Sequence, residues 1–164
     1  MGRFCFILHP SLKQGGEPLS TKQADVELIL KLYELRRDPL IRQARDWYFT
    51  EFHPESAKEI IKLMLSSLDQ SRHYRMVTSY WDMAASFVNN GGIDEKMFVE
   101  ANGEHIGVFS KIEPFIAEVR EAFNEPSYLL HLEQLVMKMS DANEIMANRR
   151  KLFARWAKTD LPKR

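Results

Sequence analysis

An aspartate among aromatic residues comes nearest to a chemical site in this sequence. Asp82 follows Tyr80 and Trp81 and shares a helical stripe with small or polar residues. If that stripe faces inward, the carboxylate needs a cation, and Arg45 and Arg120 are arginines on otherwise apolar helices. We interpret these three charged residues as buried polar groups that fix helix register. A small-ligand or enzyme site around Asp82, Arg45 and Arg120 is the alternative.

The motifs of known catalytic and metal sites are missing. No Glu has a His three residues later, as the di-iron pattern of helical bundles requires. Glu100, Glu104 and His105 could share a helical face, but the five histidines are scattered along the chain. Phosphate-loop, nucleophile-elbow and dinucleotide motifs are absent, and Cys5 lies in a terminal segment that cannot preorganise a site. The sequence therefore predicts no catalytic residue, no metal and no cofactor, and favours a non-enzymatic protein.

Composition describes an ordinary globular chain. With 164 residues, 45% hydrophobic and 28% charged, it is long enough for one domain with a core, and disorder is not expected. A formal net charge of zero argues against general attraction to nucleic acid. The single cysteine excludes an internal disulfide framework, and a reducing cytoplasm is the simplest location.

The chain divides into three parts by pattern. Residues 1–19 form an arm and linker, in which the apolar run 4–8 is too short to cross a bilayer. Residues 20–140 carry helical periodicity and form the bundle domain. Residues 141–164 extend the last helix and end in basic residues.

The elements that must position any site are helices. No segment alternates with period two, so we predict an all-α bundle of five to seven helices without a sheet. Asp38-Pro39 is a strong helix start. Asn89-Asn90-Gly91-Gly92 ends one helix, and Asp94 caps the next.

The last segment has a heptad pattern typical of a helix with a packing seam. Apolar positions alternate by four and three from Tyr128 to Trp156, interrupted by Arg149. One unbroken helix over 128–158 would be about 45 Å long and would overhang a compact domain. A capping box at Asp141–Glu144 offers the alternative of a split helix that folds back. The candidate interaction residues on the seam are Met139, Met146, Arg149, Phe153 and Trp156.

The C-terminal end is locally basic. Residues 141–164 contain seven basic and three acidic side chains, a net charge of plus four, with Phe153 and Trp156 between them. This pattern could grip phosphates or a membrane surface. It is equally the pattern of a solvated helix end whose cations complement the helix dipole.

The order of these features resembles a bacterial all-helical family of unknown function whose members often follow a membrane-anchoring helix. The resemblance spans roughly residues 25–138. Its matching residues are Arg37-Asp38-Pro39, Arg45, Tyr80-Trp81-Asp82-Met83-Ala84, Asn90-Gly91-Gly92-Ile93-Asp94, Phe109, Pro114, Phe115 and Arg120. The resemblance implies a helical fold but no activity, cofactor or catalytic residue. No apolar run long enough for the membrane helix occurs here, so the chain departs from the family pattern in this respect and whether it is tethered stays open.

The sequence thus favours a structural or protein-interaction module. We expect it to bind itself, as a homodimer, or another protein through its C-terminal helix. Binding of nucleic acid or an anionic surface by the basic end is the alternative, with the small-ligand site around Asp82 a third reading.

Overall fold

The computed structural model describes residues 21–158, with side chains described through residue 156. Every regular element in that range is helical, which confirms the all-α class and the absence of a sheet in this part of the chain. The helices are α1 (Thr21–Arg36), α2 (Pro39–Thr50), α3 (Ala57–Leu65), α4 (Asp69–Asn89), α5 (Glu95–Ala101), α6 (Glu104–Ile112), α7 (Ile116–Phe123), α8 (Leu130–Met137) and α9 (Ala142–Lys158). A 3₁₀ turn, Glu113–Phe115, joins α6 to α7, so Pro114 lies at a bend as its ring requires. The predicted arm and linker lie outside the described residues.

Helix α4 is the central element of the bundle. It packs most extensively against α2 and α8, and it also contacts α3 and α6. Its inward stripe is large and aromatic, so it supplies much of the core. The buried apolar residues on this stripe are Tyr74, Val77, Tyr80, Trp81, Ala84, Ala85 and Val88.

The helix boundaries that carry local signals are where the sequence places them. The Asp38 carboxylate accepts the backbone N–H of Leu40 at 2.9 Å, with Pro39 as the first residue of α2. The Asp94 carboxylate accepts the N–H of Met97 at 2.7 Å and caps α5. Gly91 has a φ of +74°, a conformation that suits glycine and lets the chain leave α4.

The predicted unbroken helix over 128–158 is wrong. Residues 138–141 separate α8 from α9, and α9 begins directly after Asp141, where the capping-box alternative places the break. Helix α9 then folds back and packs mainly on α6, so it does not extend away from the bundle as a continuation of α8. If residues 104–123 are counted as one bent helix, the described residues contain eight helices. This is one more than the predicted maximum of seven, because the predicted last helix is divided in two.

A lysine closes the C-terminal end of α2 from inside the bundle. Lys111 on α6 is buried, and its Nζ donates to the carbonyl oxygens of Tyr48 at 2.8 Å, Phe52 at 2.7 Å and Phe49 at 3.4 Å. Burial lowers the pKa of Lys111 to about 7. The three carbonyl acceptors match the three N–H donors of an ammonium group and oppose that shift. The side chain therefore satisfies carbonyl oxygens at the C-terminal end of α2.

We predict that Lys111→Met lowers the free energy of unfolding by about 2 kcal/mol, because it leaves these carbonyl oxygens without a donor. Lys62→Met, at an exposed position on α3, is the matched control and should change stability little. Urea unfolding followed by circular dichroism measures both. Equal unfolding midpoints for the two variants would contradict this role.

Candidate functional site

The carboxylate of Glu104 connects four helices. Glu104 is the first residue of α6, and Arg45 of α2 donates to it from Nε at 2.7 Å and from Nη2 at 2.5 Å. Arg36 of α1 approaches from Nη1 at 3.5 Å, and the indole nitrogen of Trp81 on α4 donates at 3.3 Å. One side chain thus accepts from three different helices.

This cluster is partly shielded from water. The Glu104 side chain is 15% exposed, that of Arg36 14% and that of Arg45 27%. The hydrogen bond to Glu104 raises the pKa of Arg45, against the opposing effect of burial. The guanidinium carbon of Arg36 lies 5.4 Å from the centroid of the Trp81 ring, within cation–π range.

A cleft of about 490 Å³ opens above the cluster, between the end of α1 and the first turns of α2. It is lined by Tyr33, Arg36, Arg37, Arg42 and Arg45. The Asp38-Pro39 helix start brings the two elements together here, and residues 42 and 45 share one face of α2 by their spacing of three. Among the residues that the structure describes, four arginines and no carboxylate line the cleft.

The side chains that line the cleft offer hydrogen-bond donors of the kind that bind anions. Guanidinium groups bind carboxylates and phosphates through paired N–H donors. The lining contains no histidine, cysteine or carboxylate that could act as nucleophile or base. His105 follows Glu104 in the chain but packs between Trp81 and Phe98, with ring centroids 5.8 Å and 5.4 Å away. Burial lowers the pKa of His105 to about 4, so its ring is neutral at pH 7.

Asp82 has a partner other than those the sequence suggests. Its Oδ1 accepts the backbone N–H of Leu132 at 2.9 Å, at the start of α8. Leu129, the residue before α8, has a φ of +53° and no side-chain cap of its own. Asp82 on α4 therefore caps α8 from a neighbouring helix.

The expected pairing of Asp82 with Arg45 or Arg120 is wrong. Arg45 pairs with Glu104, as described above. Arg120 Nη2 lies 2.7 Å from Oε2 of Glu133, and its Nε donates to the carbonyl oxygen of Tyr128 at 3.0 Å. The three predicted residues are half-buried, and each has its own partner at a different place in the bundle. No single site forms from them.

The C-terminal seam packs mainly inside its own chain. Met146 and Phe153 are buried, whereas Met139 and Arg149 are half-buried and Trp156 is 43% exposed. Gly107 explains the close approach of α9 to α6, because a Cβ there would lie 3.0 Å from Cζ of Phe153. A role for this helix in binding a partner stays a prediction, for which Trp156 is the available surface.

The basic end is also partly engaged. Arg150 Nη1 donates to the Ser110 carbonyl oxygen and to the Glu113 carboxylate, each at 3.1 Å. Lys163 and Arg164 lie outside the described residues.

Sequence reasoning missed the cleft and its central acid. Glu104 stood out only as part of a weak metal pattern, and within residues 21–158 no group of three or more metal-ligating side chains comes together. The available signal was the density of arginines, four within residues 36–45 of a chain with zero net charge.

We predict that Asp82→Ala lowers the free energy of unfolding by about 1 kcal/mol, the usual cost of losing a helix N-cap. Asp82→Asn keeps an acceptor oxygen and should retain most of the stability. Thermal unfolding of the two variants measures the difference. If asparagine proves as damaging as alanine, the side chain acts by its charge and not as a cap.

We also predict a strong coupling between Arg45 and Glu104. A double-mutant cycle with alanine at both positions should give about 1–2 kcal/mol, because removing one partner leaves the other half-buried. The exposed pair Lys31–Glu34, 3.1 Å apart, is the control and should give about 0.3 kcal/mol. Similar coupling energies for the two pairs would contradict the importance of Glu104.

Comparison with known proteins places the chain in a family. None of the described helices has the length and apolarity needed to cross a bilayer. No curated protein and no solved structure is significantly similar to the chain. A family model, the domain of unknown function DUF4760, matches residues 22–139 and so includes α2, α4 and the arginine cleft. The chain belongs to the DUF4760 family.

Proposed function

We propose that this protein is a non-enzymatic interaction module that associates with a second copy of itself through helix α1. The observation that carries this proposal is the exposure of the apolar side chains on α1. Five of them remain between 44% and 55% exposed, a density that marks a contact surface in soluble proteins. These residues are Val26, Leu28, Leu30, Tyr33 and Leu35.

The exposed residues form two stripes on opposite flanks of α1. At about 100° per residue, Val26, Leu30 and Tyr33 lie within about 60° of one another. Leu28 and Leu35 are two turns apart on the other flank. The bundle covers only the strip between them, where Leu32 is buried and Ile29 half-buried. The apolar arc of α1 is thus wider than the surface that α2 and α5 cover.

The far side of α1 is polar. Glu27, Lys31 and Glu34 are exposed, and Lys31 pairs with Glu34. This pattern is typical of a surface helix whose apolar flanks pack against other helices.

A second copy is the occupant that best fits this arrangement. A twofold pair brings the flank with Val26, Leu30 and Tyr33 against the same flank of the partner, so this flank gains an apolar counterpart of its own kind. Since α1 is only about 24 Å long, the interface is small and the dimer should be weak.

The C-terminal helix is the second candidate surface. Trp156 is an exposed aromatic next to Phe153, and aromatic residues are enriched in interfaces.

We also propose a bacterial origin, from the family resemblance, and a cytoplasmic location, from the single cysteine.

We predict that the wild-type protein forms a concentration-dependent dimer and that Leu30→Asp makes it monomeric. Sedimentation velocity over a wide concentration range measures the shift. Leu65→Asp, at a leucine on α3 that is 72% exposed, is the matched control and should leave the dimer intact. Trp156→Ser tests the C-terminal surface in the same assay.

Three results would contradict the proposal. A wild-type protein that stays monomeric at all concentrations would remove self-association. Equal effects of the substitutions at Leu30 and Leu65 would show that the contact is unspecific. Loss of the dimer with Trp156→Ser alone would move the interface to α9.

A further inference from the structure

We propose that the arginine cleft, defined by Tyr33, Arg36, Arg37, Arg42 and Arg45, binds the phosphate groups of a small phosphorylated molecule. Tyr33 belongs both to this cleft and to one α1 stripe, whereas the four arginines that would bind the anion lie outside the stripes. Neither the family nor any sequence motif assigns it.

The positive charge of the cleft is only partly compensated. Arg37 and Arg42 are exposed and have no ion pair or side-chain hydrogen bond within the described part of the chain. Glu104 balances one of the two inner arginines, and the Asp38 carboxylate is bound to the first turn of α2. Four guanidinium groups so close together repel one another unless an anion joins them.

The inner half of the cleft is preorganised. Glu104 accepts two hydrogen bonds from Arg45, and Nη1 of Arg45 makes none in the described structure. The guanidinium carbon of Arg36 lies 5.3 Å from the Tyr33 ring centroid and 5.4 Å from that of Trp81. Because these contacts hold both side chains, a ligand need not order them, which favours affinity.

The chemistry of the lining favours phosphate over a single carboxylate. A carboxylate carries one charge and two acceptor oxygens, whereas a phosphate group carries up to two charges and three acceptor oxygens. Four guanidinium groups offer more donors than one carboxylate can use. The donors of the two inner arginines, Arg36 and Arg45, match the acceptor oxygens of a diphosphate. Together with the outer pair, Arg37 and Arg42, they also match a phosphate ester.

The shape of the cleft favours a small molecule over a membrane or a nucleic acid. A volume of about 490 Å³ lies within the usual range of small-ligand sites. Arg36 and Arg45 are recessed, with side chains 14% and 27% exposed, so a flat headgroup layer meets the outer arginines first. The zero net charge of the chain provides no long-range attraction to a polyanionic surface.

Titration calorimetry with the full chain at low salt tests the proposal, with pyrophosphate and ATP as probes. We expect saturable 1:1 binding of at least one probe. Arg37→Ala/Arg42→Ala should weaken it roughly tenfold or more, since charge-assisted hydrogen bonds are lost. Arg37→Lys/Arg42→Lys keeps the charge but not the paired donors, so its affinity should lie between the two.

Lys58→Ala/Lys62→Ala on α3 removes the same charge from exposed positions and should bind like wild type. Circular dichroism checks that all variants keep the helical fold, which is expected because the substituted residues are exposed. A parallel arm measures binding to vesicles containing phosphatidic acid, which shows whether a lipid headgroup or a soluble phosphate is the source.

Four outcomes would overturn the proposal. The first is no binding of pyrophosphate or ATP by the wild-type chain. The second is equal affinity of the Arg37/Arg42 and Lys58/Lys62 alanine variants, which would reduce the effect to net charge. The third is an affinity of the lysine variant equal to wild type. The fourth is binding to vesicles without binding to either soluble probe, which would make the cleft part of a membrane surface.

Discussion

The ion-pair cluster at Glu104 is the interaction on which the described structure most depends. Its carboxylate accepts donors from α1, α2 and α4 while starting α6, so it links helices that are distant in sequence. The same contacts place Arg36 and Arg45 at the floor of the cleft. Because the cluster is half-buried, removing the acid leaves two cations with reduced solvation. The contacts of Glu104 therefore both stabilise the bundle and fix the geometry of the cleft.

Backbone groups of several helices in this bundle are satisfied by side chains from other helices. Lys111 closes α2, and Asp82 caps the start of α8. The hydroxyl of Tyr80 donates to the Leu32 carbonyl oxygen of α1 at 2.7 Å, and that of Tyr48 donates to the Val108 carbonyl oxygen of α6 at 3.0 Å. Such bonds make each helix depend on its neighbours, since a buried helix end without a partner is costly. The polar residues of the interior thereby act in fixing the arrangement of helices rather than in chemistry.

Local signals in the sequence predicted the helices, but the pairings between residues distant in sequence could not be predicted from it. Asp38-Pro39, Gly91 and Asp94 act on their own chain neighbours, so their roles are readable from sequence. Arg45 and Glu104 are 59 residues apart, and nothing in the spacing of either points to the other. For the same reason Asp82 was matched to arginines when its partner is a backbone N–H. The seam on α9 was correctly apolar, but periodicity does not tell whether the surface it packs on belongs to the same chain.

Glu104 orders the inner arginines, whereas Arg37 and Arg42 are exposed and, in our proposal, meet the ligand. Arginine Nε–H signals in ¹H–¹⁵N spectra test this directly, because hydrogen-bonded groups exchange slowly with water. We expect a slowly exchanging Nε–H for Arg45, fast exchange for Arg37 and Arg42, and loss of the Arg45 protection in Glu104→Ala, which removes the acceptor oxygens. An Arg45 Nε–H that exchanges as fast as that of Arg42 in the wild-type protein would contradict it.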